Sequence, residues 1–228
     1  VRFAAIEAIG HIGGARAVSV LGGFLDAPDE DIASSAIGAL GKIGHPDALN
    51  PLFSALKSGN PERQRDAVRA LGEHGGEGVA RALQWVAATE TDPVLVKESI
   101  EGIKKLKTRE AVDVLIELAV DQERRKLCIE ALHEFGEKGI EWIAGGLAYP
   151  HAGVRVAVIE TLARMRRPIA SERILGALED KDGQVRLAAV EAIGYLGNRR
   201  ADKKLAAMAK SDEDVAVRRA ARMVLKRQ

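Results

Sequence analysis

The sequence predicts an all-α solenoid of about fifteen helices in eight layers. Three observations predict it. First, a thirteen-residue motif at 185–197 (VRLAAVEAIGYLG) recurs at 1–13 (VRFAAIEAIGHIG) with nine identical positions, and weaker copies begin at Ile32, Arg63, Leu95, Arg124, Val154 and Val217. The intervals run from 29 to 32 residues. Self-similarity at that period marks an array of stacked supersecondary units. Second, positions 1, 5, 6, 9 and 12 of the motif are mostly apolar or small, the i, i+4, i+5, i+8 stripe of an amphipathic helix and not the alternation of a strand. Third, the chain is 46% hydrophobic but only 4% aromatic, with 23 glycines. Small side chains suit closely packed helices.

Each repeat opens with a helix over the motif. Position 9 is always Leu or Ile, from Ile9 to Leu225. Position 8 is usually Ala or Gly, which allows neighbouring helices to approach. Position 13 is Gly at 13, 44, 75, 136 and 197, where a left-handed residue ends a helix at little cost. A second, looser amphipathic helix follows in the first seven copies, for example over 15–25, 48–56 and 111–119. Pro51 is expected to kink its helix or mark a late start. Short acidic or Pro-containing turns return the chain at 26–31, 58–62, 91–93, 180–183 and 211–214. Asn60-Pro61 and Asp92-Pro93 read as an N-cap followed by Pro at the first helical position.

Neither helix of a pair can bury its stripe alone, so the expectation is a single solenoid over residues 1–228. Position 6 is Ile or Val in seven copies and Arg222 in the last, which reads as an outward-facing end of the array. Val1, Ala5, Ile6 and Ile9 are apolar with no helix before them, so the chain reads as a fragment of a longer one.

Composition narrows the function classes. One cysteine, Cys128, excludes an internal disulfide and a Cys-rich metal cluster, and points to a reducing, cytoplasmic compartment. No apolar run reaches the roughly 18 residues of a membrane span. Net charge is +1, yet residues 1–160 carry 18 Lys/Arg against 24 Asp/Glu and residues 161–228 carry 16 against 9. The basic third is suited to nucleic acid or an acidic partner.

No catalytic constellation is present. Cys128 stands in a small-residue core row with no His beside it, so it reads as a buried hydrophobe, not a nucleophile. The His133-Glu134 pair occurs once, which is too little to hold a metal. His74 reads as half-buried and hydrogen-bonded, and the other histidines fall at exposed or turn positions. The glycines of 74–78 lack the strand and the Lys-Ser/Thr of a phosphate loop. Asp66 and Glu98 replace small residues at position 4 and are expected to pair with Arg63, Arg65 or Lys97. Trp85 and Trp142 fall on second helices.

The pattern VR-x-A-A-x-E-A-(I/L)-G-x-(I/L)-G, followed by a second helix and an Asp-rich turn, resembles the short HEAT-like repeat of the phycobilisome-lyase type. The resemblance covers essentially the whole chain. It implies a right-handed α-α superhelix with the Val-Arg helices on the concave side and the looser helices on the convex side. It also implies a ladder of position-2 arginines (Arg2, Arg125, Arg155, Arg186 and Arg218) tied to acidic turn residues, broken at Ala33, Gln64 and Val96. Relatives include bilin lyases, an iron-dependent hydroxylase and adaptors. The hydroxylase would need His-Glu at positions 3 and 4 of several repeats. Here those positions hold Phe3-Ala4, Ser34-Ser35, Arg65-Asp66, Lys97-Glu98, Lys126-Leu127, Val156-Ala157, Leu187-Ala188 and Arg219-Ala220, so that chemistry is not expected, nor is any cofactor.

What remains is the polar stripe of the Val-Arg helices. Position 7 gives carboxylates at Glu101, Glu130, Glu160 and Glu191. Position 3 gives Arg65, Lys97 and Lys126, then Val156 and Leu187, with Tyr195 at position 11. Val156, Glu160, Leu187, Glu191, Tyr195, Lys97 and Lys126 are therefore the candidate partner-binding residues, an apolar centre with a charged rim. The reading favoured is a non-enzymatic scaffold for a protein or peptide partner along the concave face. A bilin-lyase-like or other small-molecule clamp, and nucleic-acid binding through the basic C-terminal third, are the alternatives.

Overall fold

A computed structural model describes residues 1–227. Among them are fifteen α-helices and no strand. The motif helices are α1 (Arg2–Ile12), α3 (Glu30–Lys42), α5 (Pro61–His74), α7 (Pro93–Lys105), α9 (Gln122–His133), α11 (Ala152–Met165), α13 (Gly183–Leu196) and α15 (Val215–Arg227). The second helices are α2 (Gly14–Gly22), α4 (Leu49–Leu56), α6 (Val79–Thr89), α8 (Arg109–Leu118), α10 (Gly136–Gly145), α12 (Pro168–Ile174) and α14 (Asp202–Ser211).

From α3 onward each motif helix starts just before the repeat does, because the acidic turn residue ahead of it is an N-cap. Side-chain oxygens of Asp29, Asn60, Asp92, Asp121, Asp182 and Asp214 accept from backbone amides two or three residues on. This satisfies donors that the helix itself leaves unpaired. His151 caps α11 in the same way through Nδ1, accepting from the Gly153 amide at 3.1 Å. Pro51 is the third residue of α4, whose entry is a 3-10 turn at Pro46–Ala48. It marks a late start and not a kink.

Position 13 is the C-cap in three of the five glycine copies, Gly13, Gly75 and Gly197, each with positive φ; Gly136 also has positive φ but opens α10, three residues after α9 ends. Gly44 departs, since α3 ends on Ile43 in an extended conformation. The two residues other than glycine with positive φ, Lys107 (51°) and Arg166 (49°), occupy position 13 of copies four and six. The left-handed turn therefore belongs to the repeat, with or without glycine.

The chain divides into two compact units, Val1–Ala111 and Val112–Gln228. In the first, α1 packs on α3, α3 on α5 and α5 on α7; in the second, α9 packs on α11, α11 on α13 and α13 on α15. The position-9 residues Leu40, Leu71, Ile103, Leu132, Leu162 and Ile193 are fully buried. Close approach depends on position 10 as well as position 8. A Cβ on Gly41 would lie 2.7 Å from the Ala70 Cα, and one on Gly72 would lie 2.8 Å from the Gly102 Cα. At Gly41 and Gly72, position 10 of one helix is thus seated against the position-8 backbone of the next, and only hydrogen fits there.

The arginine ladder is complete in part of the second unit. Arg155 donates to both carboxylate oxygens of Asp180 and to the carbonyls of Tyr149 and Pro150. Arg186 repeats the pattern with Asp212 and the Asp180 carbonyl. Arg125 and Arg218 reach only the carbonyls of the turn before them. The position that Asp180 fills for Arg155 is occupied by Pro150 for Arg125, which removes the acid. Arg2 makes no such contact among the described residues. In copy three Gln64 keeps the rung as a neutral amide, donating to Glu90 at 3.0 Å.

Candidate partner-binding face

The candidate residues lie on the motif helices: Lys97 on α7 of the first unit, and Lys126 on α9, Val156 and Glu160 on α11, and Leu187, Glu191 and Tyr195 on α13 of the second. Lys97, Lys126, Glu160 and Glu191 are exposed. Val156 and Leu187 are half-buried at position 3 of adjacent helices, and neither opens a large apolar surface. Tyr195 stands two turns beyond Leu187 on α13 and is 58% exposed. The structure therefore separates Tyr195 from the two aliphatic residues and joins it to a different neighbour, α15.

Between α13 and α15 runs a groove of about 360 Å³. Its floor is Gly194, Ala220 and Val224, its walls are Tyr195 and Met223, and Glu191 and Arg227 stand at its ends. Gly194 creates the depth, since a Cβ there would meet the Val224 side chain at 2.5 Å. Met223 is 48% exposed. Sequence reasoning missed it, although a signal was available: position 7 is polar or glycine in every other copy (Glu7, Gly38, Arg69, Glu101, Glu130, Glu160, Glu191) and Met only at 223. The wall is held by Arg166, whose Nε donates to the Tyr195 hydroxyl at 2.7 Å and whose guanidinium lies 4.7 Å from the ring centroid.

An equivalent groove of about 470 Å³ lies between α1 and α3 in the first unit, with Glu7, Gly10 and His11 facing Ser35, Gly38, Ala39 and Lys42. These are the repeat positions of Glu191, Gly194 and Tyr195 facing Ala220, Met223, Val224 and Arg227. Phe3 at its edge is 50% exposed.

On α3, α5 and α7 of the first unit several polar groups are engaged with one another. Asp66 accepts from the Ser34 hydroxyl. Glu98 accepts from Arg69 Nε at 3.1 Å and Nη2 at 2.5 Å, and Arg65 donates to Asp92 at 3.3 Å. Of the expected partners, Arg65 does lie within ion-pair distance of Glu98, at 4.0 Å, and Arg63 does not take part. Arg63 turns back to Glu30, donating through Nε at 3.0 Å and Nη2 at 2.9 Å, and Arg69 takes its place. Trp85 is half-exposed on α6, a second helix.

Cys128 is fully buried, and burial pushes its thiol up to about 12 despite the opposing Arg124 charge. His74 is half-buried, with Nδ1 2.9 Å from the Gly75 carbonyl and Nε2 3.1 Å from the His45 carbonyl. His133 ends α9 with Glu134 as its C-cap. Among the described residues no three His, Cys, Asp or Glu side chains are grouped to hold a metal ion, and no helix is long and apolar enough to cross a membrane.

Comparison with known proteins bears on the fold. The family model of HEAT repeats matches residues 1–63, 49–133 and 140–226. The complex of CpcE and CpcF of phycocyanin lyase from Nostoc sp. PCC7120 aligns at 22% identity and TM-score 0.45, over 92% of this chain and 88% of that one. Human deoxyhypusine hydroxylase in complex with glycerol aligns at 20% identity and TM-score 0.41, over 98% and 88%. An archaeal HEAT-like repeats protein from Thermococcus onnurineus NA1 aligns at 12% identity and TM-score 0.40, over 92% and 95%. No curated protein sequence matches. The seven in-register helix starts from α3 onward, the seated glycines and the family match across the chain agree, and the chain belongs to the HEAT repeat family.

Proposed function

We propose that this chain is a non-enzymatic scaffold that binds a peptide segment of a protein partner on the face of its motif helices, with the α13–α15 groove as the anchor point. The observation that carries this is the groove itself. Two half-exposed large side chains, Tyr195 and Met223, stand over a floor of glycine, alanine and valine, with a carboxylate at one end and a guanidinium at the other. An apolar slot rimmed by opposite charges is what a peptide with one buried apolar side chain requires. Position 3 of the neighbouring helices, Val156 and Leu187, extends the surface, and Glu160 and Glu191 give it a carboxylate border.

The test is selection of twelve-residue peptides from a random display library on the immobilised chain. Enriched peptides should share an apolar residue. Met223→Asp should lower their affinity at least tenfold with an unchanged helical spectrum, whereas Trp85→Ser on a second helix should not. Equal loss from Trp85→Ser, or none from Met223→Asp, would move the binding surface elsewhere.

A further inference from the structure

We propose that the partner segment is acidic, and that one of its carboxylates enters a second cavity of the same unit, on the far side of Tyr195 from the apolar groove. This inference rests on the reading of that groove as a peptide anchor and names the chemistry of what flanks the anchor.

The cavity, of about 280 Å³, lies where the turn after α11 meets the turn after α13. Arg166 and Arg167 come from the first turn, and Asn198 from the second. Several arginines of this unit have carboxylate partners: Arg155 with Asp180, Arg173 with Glu141, Arg186 with Asp212, Arg199 with Asp202 and Arg200 with Glu172. Arg166 and Arg167 do not. The partner of Arg166 is the neutral Tyr195 hydroxyl, and the Arg167 side chain has no hydrogen-bond or ion-pair partner among the described residues. Two guanidinium groups without a carboxylate of their own, on a cavity whose single acid, Glu172, is taken by Arg200, form an unbalanced charge that a carboxylate would neutralise through paired N–H donors.

Ser171 supplies an independent pointer. It lines the cavity and is 6% exposed. Its oxygen accepts from Asn198 Nδ2 at 2.7 Å, yet its own O–H has no acceptor among the described residues. A buried donor of this kind is usually satisfied, and an entering carboxylate would satisfy it. Glu172, the one acid at the cavity edge, is held by Arg200 at 2.7 Å.

The same surroundings disfavour a nucleic-acid strand. A base needs an open aromatic face, and the ring beside the cavity, Tyr195, already carries the Arg166 guanidinium. A nucleic-acid strand carries a phosphate on every residue and must bring some of them against the position-7 carboxylates Glu160 and Glu191, whereas a peptide can present one acid to the arginines and one apolar side chain to the groove. Tyr195 links the two points, forming the groove wall on one side and fixing Arg166 on the other.

The test uses two labelled twelve-residue peptides with the same central Leu, flanked by Asp/Glu in one and Lys/Arg in the other, and a labelled dT oligonucleotide, all followed by fluorescence anisotropy. The acidic peptide should bind at least tenfold more tightly than the basic one at low salt, and the gap should narrow as salt rises. Arg166→Ala with Arg167→Ala should close the gap. Arg173→Ala with Arg199→Ala, which removes arginines paired with acids away from the cavity, should leave it. Binding that is sensitive to Met223→Asp but indifferent to flank charge would overturn this inference alone. Binding of neither peptide would overturn the anchor reading with it, and tighter binding of the oligonucleotide would replace the acidic peptide by nucleic acid.

Discussion

The Asp180 carboxylate accepts Nε and Nη2 of Arg155 at 2.7 and 2.8 Å, while its backbone carbonyl accepts Nη1 of Arg186 at 2.8 Å. One residue therefore joins two successive repeats. Asp212 repeats the arrangement, its carboxylate taking Arg186 and its carbonyl taking Arg218. The result is a continuous polar chain from Arg155 to Arg218 along the turns of the second unit. Asp180 is pulled up by burial, but the hydrogen bonds from Arg155 and the Asp182 amide and the neighbouring positive charges outweigh this and hold its carboxyl below the usual range. Asp212 is held below that range chiefly by its hydrogen bond from Arg186.

This chain makes stability acid-sensitive. A carboxyl with a depressed folded pKa contributes stability that is present above its unfolded value, about 3.9 for Asp, and lost as pH falls through the folded value. Urea midpoints measured between neutral and strongly acidic pH should fall more for the natural chain than for Asp180→Asn with Asp212→Asn. At neutral pH that variant should be weaker, by about 1–2 kcal/mol per site, between the surface and buried limits for an ion pair. Parallel pH curves would show that the ladder does not couple to folding.

The helix spacing makes a paired glycine prediction. Gly41 has the Ala70 backbone 2.7 Å from where its Cβ would sit, whereas Gly38, one turn earlier on α3, has nothing within 4 Å. Gly41→Ala should destabilise by about 1–3 kcal/mol through overpacking. Gly38→Ala should stabilise by about 0.5–1 kcal/mol, since alanine is the better helix former. Chemical denaturation of the two single variants gives the comparison, and the same sign for both would mean the helices are not in this contact.

Position 13 offers a gain of stability. Lys107 adopts φ 51° where other copies use glycine. Lys107→Gly should stabilise by up to about 1 kcal/mol by relieving the left-handed penalty. A thermal scan showing a lower transition for this variant would argue against a left-handed turn in copy four.

Cys128 reports on unfolding. With the thiol buried and raised to about 12, maleimide labelling at neutral pH should be slow in the native chain and should rise in step with urea unfolding. Prompt native-state labelling would place Cys128 outside the core.

The array was legible because its signal is periodic and redundant. Eight copies of the position-9 aliphatic row and a recurrent helix-ending glycine fix helix number, type and register without any tertiary knowledge. Terms that depend on which residue faces which were not legible. Asn60 and Asp92 read as caps because Pro follows each, but Asp29, Asp121, Asp182 and Asp214 read only as polarity, and the structure shows them as caps too. Position-10 glycine looks like a weak helix residue until Ala70 or Gly102 is set against it. Gln64 looks like a break in the ladder because its reach to Glu90 crosses 26 residues of sequence. At the candidate site the stripe rule found Glu191 and Tyr195, which sit one turn apart on α13, but paired Tyr195 with Leu187 on its own helix. The groove is made across helices, and Met223 and Arg166 enter it from elements that a single-helix pattern does not relate.

The most direct measurement places a photo-crosslinking amino acid at Met223 in one preparation and at Trp142 in another, and exposes each to the display-selected peptide. Both positions belong to the second unit, Met223 on a motif helix and Trp142 on a second helix. The groove account predicts an adduct from position 223 and none from position 142. An adduct from position 142 alone would place the binding surface on the second helices and contradict it.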